Sequence, residues 1–95
     1  MTGGQAGQIR LSPTVEWRDV EGEIVAVNLD RSVYLAANES GAVMWRLVSK
    51  GTTRDALVES LAETYGLERL TAERDVNVFL SELDAQDCLL HVADP

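Results

Sequence analysis

The rarest reactive side chains in the sequence are one cysteine, Cys88, and one histidine, His91. In an extended segment a spacing of three turns such side chains to opposite faces, so they cannot act there as nucleophile and base. In a helical segment they would approach, yet no orienting group or oxyanion hole stands out nearby. Cys88 reads as a small buried filler and His91 as a surface residue. A zinc site needs about four Cys, His or carboxylate ligands, and this pair falls short. Gly3, Gly4 and Gly7 lack the preceding strand and following helix that a phosphate loop requires, and no calcium-loop pattern is present. The sequence therefore points to no catalytic residue, metal or cofactor.

Charge narrows the partners. Sixteen acidic and eight basic side chains give a formal net charge of -8. A surface of that sign repels nucleic-acid phosphate and anionic lipid, and attracts basic partners. Glu73, Asp75, Glu82, Asp84 and Asp87 crowd one segment, where they read either as the solvated side of a helix or as an acidic rim beside a groove. Of the aromatic residues, Trp45 and Tyr65 fall in apolar stripes. Tyr34 and Phe79 are the two that a strand and a helix could bring to one groove.

These residues need elements to position them. Ninety-five residues with 45% apolar and 25% charged side chains fit one small globular domain. Met1 to Ser12 reads as a flexible lead-in, residues 13–92 as the single domain, and residues 93–95 as a frayed tail. From Val15 to Ala36 the pattern is β-like, with turns at Asp19-Val20-Glu21-Gly22 and Asp30-Arg31-Ser32. Connections this short make antiparallel neighbours, so the segment reads as a three-stranded meander. In the second strand Val25, Val27 and Leu29 alternate with Ile24 and Ala26, which leaves the buried face open.

Helical spacing follows. Asn38 is a candidate N-cap for a helix ending at Gly51, and Thr52-Thr53-Arg54-Asp55 has capping-box spacing for a second helix ending at Gly66. A third begins near Thr71 and ends around Gln86 or Asp87, with Val76, Phe79, Leu80 and Leu83 as its apolar stripe. Cys88 to Val92 is a short strand or an extended tail. The fold class is α+β, with the sheet against the helices. No apolar run is long enough to span a bilayer and no signal-peptide pattern precedes the domain, which makes the cytoplasm the expected location.

A meander has two edges, and an edge strand leaves backbone donors and acceptors unpaired. Val33 to Ala36 carries no proline, lysine or glutamate to block pairing. One added peptide strand makes about four to six backbone bonds, each worth about 0.5–1.5 kcal/mol net. Apolar pockets between this strand and the third helix must supply the rest of the affinity.

The stretch from Arg31 through Val33-Tyr34-Leu35-Ala36-Ala37-Asn38 to Trp45, the Lys50-Gly51-Thr52 joint, and Asp75-Val76 through Phe79-Leu80-Ser81-Glu82-Leu83 to Leu90 resemble the PqqD-like family of peptide-recognition elements. The likeness is closer to stand-alone leader-binding proteins of split lasso-peptide pathways. Many family members have Leu-Asn where this chain has Ala37-Asn38. The resemblance implies a winged-helix-like domain, a three-stranded antiparallel sheet followed by three helices, without catalytic activity. It implies that the leader of a ribosomally made precursor adds as a strand along Ser32 to Leu35, with Arg31 beside it and with Val33 and Leu35 or Tyr34 as pocket floor. Asp75, Val76, Phe79, Leu80, Glu82 and Leu83 would line the helix side. The implied partners are the precursor and a transglutaminase-like cysteine protease that removes the leader, with the chain itself a monomer. Two other readings remain: a leader-binding subunit for another modifying enzyme, such as a radical enzyme of the quinone-cofactor pathway, and a winged-helix DNA-binding regulator.

Overall fold

The computed structural model describes residues 8–92. Its elements run β1 (Gln8–Leu11), β2 (Val15–Val20), β3 (Glu23–Asn28), β4 (Val33–Ala37), α1 (Glu39–Lys50), α2 (Arg54–Tyr65), α3 (Arg69–Ala85) and β5 (Leu89–Val92). Strands β2, β3 and β4 form the antiparallel meander in that order, followed by the three helices. The β2–β3 turn is two residues long, with Glu21 at φ 55° and Gly22 at φ 88°, the primed geometry that suits strand twist. Arg46 on α1 ties this hairpin down, its Nε donating to Asp19 Oδ2 at 2.8 Å and its Nη2 to the Gly22 carbonyl at 3.2 Å.

Burial selects the sheet face that alternation left open. Ile24, Ala26 and Asn28 are buried against the helices, while Val25 faces out. The core beneath them joins Trp45 and Val48 of α1, Leu57, Val58 and Leu61 of α2, and Ala72, Val76, Phe79 and Leu83 of α3. Trp17 reaches it from β2, its ring edge-on to Trp45 at 70° with centroids 6.2 Å apart.

The lead-in expected through Ser12 needs correction at its second half. Gln8–Leu11 pairs antiparallel with Leu89–Val92, which settles the last apolar stretch as a strand. Ile9 also bridges Thr52, with N–H to carbonyl distances of 2.6 and 2.9 Å in the two directions. Four residues carry no strong strand signal by themselves. Here a partner from the other end of the chain satisfies their backbone and buries Ile9. The expectations for residues 1–7 and 93–95 lie outside the described residues.

Two caps also differ from expectation. The bridge to Ile9 occupies the Thr52 backbone, so the cap of α2 is Thr53, whose side chain accepts from the Ala56 N–H at 3.1 Å. At α1, Asn38 is the cap, but its carbonyl rather than its side chain receives the Gly41 and Ala42 amides. Helix α3 starts two residues before Thr71, at Arg69, which reaches Glu73 one turn on and Asp55 on α2.

Candidate peptide-binding groove

Strand β4 has β3 on one side and no strand on the other among the described residues. The segment Leu89–Val92 is engaged elsewhere, on β1. Beside the free edge lies a groove of about 240 Å³ lined by Leu35, Ala36, Ala37, Asn38, Gly41, Trp45, Phe79, Glu82 and Leu83. It is therefore bounded by β4, the start of α1 and the second half of α3. Its walls are largely apolar, and Glu82 supplies an exposed carboxylate at the margin.

The sequence-derived site residues divide into groups. Leu35, Phe79, Glu82 and Leu83 meet in the groove. Val33 lies on the same side of β4 as Leu35, and Leu80 is half-buried on α3. Val76 is fully buried, so it supports α3 from below rather than facing the groove. Asp75 is exposed and does not border the groove. Tyr34 turns the other way. Its partner Val27 shares the outer sheet face, where Tyr34 is 82% exposed and borders a shallow depression with Glu16, Trp17, Arg18 and Val25. Strand alternation thus makes Leu35, not Tyr34, the floor. Ser32 sits in the turn before β4 at φ 54°, so the extended frontage starts at Val33. Arg31 pairs with Asp87 beyond the end of α3.

Sequence reasoning missed Ala37, Asn38, Gly41 and Trp45 as groove residues, and Asn28 as a buried tie between the β3–β4 turn and the end of α3. The signal for the first three was the run of small side chains where β4 enters α1. A Cβ at Gly41 would stand 3.3 Å from that of Ala37, so this corner admits little bulk. Asn28 is buried and donates from Nδ2 to the carbonyls of Gln86 at 2.9 Å and Asp87 at 3.1 Å, while its Oδ1 accepts from the Asp30 N–H at 3.0 Å. One amide thereby fastens the β3–β4 turn to the end of α3. The buried Cys88 thiol lies against it, and burial, reinforced by the Asp87 charge, pushes that thiol above its ordinary value of 9.0 despite the opposing effects of Asn28 and Arg31. A raised pKa disfavours the thiolate a nucleophile requires. Among the described residues no group of three or more His, Cys, Asp or Glu is placed to hold a metal ion.

Sheet, helices and groove define a small winged-helix-like α+β domain with an unpaired strand edge beside an apolar cleft. A family model described as coenzyme PQQ synthesis protein D (PqqD) matches residues 23–89, and the chain belongs to that family. Among solved structures it is similar to TbiB1 in complex with the TbiA(beta) leader peptide, at 27% identity and a TM-score of 0.82, covering 90% of this chain and 99% of that one. It also shares its fold with a lasso peptide synthetase B1 complexed with the leader peptide, at 22% identity and a TM-score of 0.76, covering 86% and 96% of the two chains. No curated protein sequence matches it.

Proposed function

We propose that this chain binds the leader segment of a ribosomally made precursor of lasso-peptide type, adding it as a strand along β4 with alternate side chains in the groove against α1 and α3. The observation that carries the reading is the free β4 edge running beside an apolar groove of about 240 Å³. The similarity to TbiB1, solved with a leader peptide bound, supports it over nearly the whole chain. In this reading the protein is a non-catalytic cytoplasmic carrier. It raises the effective concentration of the precursor at a separate leader peptidase of transglutaminase-like cysteine protease type, and that partner breaks the bond.

Backbone pairing supplies register and moderate affinity, and Leu35, Phe79 and Leu83 supply apolar contact. The test is titration of isotope-labelled protein with lasso-type leaders, the TbiA(beta) leader being the first probe. Amide shifts centred on 33–38 and 79–83 are expected, together with a loss of at least roughly tenfold in affinity for Leu35→Asp, a half-buried position packed against the core, compared with wild type once its amide spectrum shows the variant folded. Shifts confined to the outer sheet face around Val25 and Tyr34 would refute the groove. Binding without any response in a leader-cleavage assay with the cysteine protease would turn the reading toward another modifying enzyme.

A further inference from the structure

Which backbone groups of β4 face a guest is decided by β3. One step beyond the pair Val15 and Asn28, the Leu29 N–H donates to the Thr14 carbonyl at 2.9 Å. In an antiparallel ladder a residue turns both backbone groups to one side, and its neighbours along the strand turn theirs to the other. Leu29, Val27, Val25 and Glu23 therefore address β2, which matches the two-residue turn closing on Val20 and Glu23. Ile24, Ala26 and Asn28 address β4, where their partners in an unbroken register are Ala37, Leu35 and Val33. The Asn28 carbonyl also receives the Arg31 N–H at 3.3 Å, from the turn that leads into β4, as this parity requires. Tyr34 and Ala36 are left to turn their N–H and C=O groups away from β3, towards the edge that has no strand among the described residues.

The frontage is short. Asn38 is the next residue on that side, and its carbonyl already accepts the Gly41 and Ala42 amides of α1. Ser32, two residues before Tyr34, stands at φ 54°, outside the extended region. Tyr34 and Ala36 are thus the two residues of β4 with both a donor and an acceptor on offer. Tyr34 points its ring to the outer face and Ala36 carries only a methyl, so what the pair reads in a guest is main chain. We infer that the Tyr34 and Ala36 main chain is the pairing frontage of β4, and that it selects guests carrying two N–H groups two residues apart. In either strand direction the two carbonyls accept from alternate guest residues, and the guest N–H between those is turned away. A tertiary amide, which has no N–H, is therefore rejected at two guest positions and accepted at the one between them. This deepens the leader-binding reading and rests on it for the identity of the guest, whereas the frontage itself can be observed without any leader.

The first measurement is amide hydrogen exchange in the free chain. The Leu35 and Ala37 N–H groups, bonded to β3, are expected to exchange at least roughly tenfold more slowly than those of Tyr34 and Ala36. Adding the TbiA(beta) leader should then slow Tyr34 and Ala36. An N-methyl scan of that leader should show two positions, two residues apart, at which affinity falls roughly tenfold or more, the weight of a lost hydrogen bond together with a methyl forced between the strands. The position between them should stay within about twofold of the parent, because its N–H makes no bond to β4. Slow exchange at Tyr34 and Ala36 with fast exchange at Leu35 and Ala37 in the free chain would overturn the frontage. So would a bound leader that leaves Tyr34 and Ala36 unprotected, or a scan whose sensitive positions are adjacent or absent. If the free chain exchanges as expected while lasso-type leaders fail to bind, the frontage stands and the leader reading falls.

Discussion

Asn28 shows how one buried side chain can tie together two elements that border the groove without lining it. A buried amide among apolar neighbours is tolerated only when its bonds are made, and here they fasten a turn of the sheet to the end of α3. Asn28→Ala should therefore cost about 1–3 kcal/mol in urea unfolding and also weaken leader binding, because the two groove walls lose a common anchor. A variant with unchanged stability would show that water replaces the amide. Cys88, packed on Asn28, gives a pH prediction. The folded chain holds a proton that the unfolded thiol releases, so the contribution is intact below pH 9.0 and is lost as pH rises above it. Stability should decline on the alkaline side in the wild type and less so in Cys88→Ala, as measured by chemical unfolding across that range.

At the scale of elements, the two sheets do different work. The β2–β3–β4 meander presents an edge, and the β1–β5 pair closes the opposite ends of the chain over α1 and the Thr52 bridge. That pair also holds Leu89–Val92 on β1 rather than on β4. Ile9 is the buried residue of β1, and Ile9→Ala should destabilise by about 2–5 kcal/mol in thermal or urea unfolding. A cost under about 0.5 kcal/mol, the range of ordinary surface positions, would show that β1 is dispensable. The helices divide similarly. α2 is a core element with a Thr53 cap and a left-handed Gly66 stop, whereas α3 shares its length between core contacts at Ala72 and Val76 and groove contacts at Phe79 and Leu83.

The whole molecule carries a net charge of -8, and the cations of α3 are partly committed, Arg69 being paired with Asp55 and Glu73. The winged-helix outline thus carries a net negative charge, which opposes the phosphate contacts of duplex binding. At matched moderate salt, no duplex affinity is expected under conditions where a lasso-type leader binds. Tighter binding to DNA than to leader in the same titration would favour a regulator. Among the described residues no helix is long and apolar enough to cross a membrane.

Local pattern by itself determined much of this protein. The three meander strands, the three helices with their Gly51 and Gly66 stops, and the Phe79–Leu83 stripe were legible because short-range sterics and apolar spacing act within a few residues. The candidate site was half legible for the same reason: Leu35, Phe79, Glu82 and Leu83 sit at readable periods. Tertiary structure decided the rest. Which face of β3 is buried, why Tyr34 looks outward, how Gln8–Leu11 becomes a strand and where Asn28 and Trp45 sit all depend on groups brought together from distant parts of the chain. Their energies come from shared burial and from hydrogen bonds completed or left open, quantities that exist only once the partners have met.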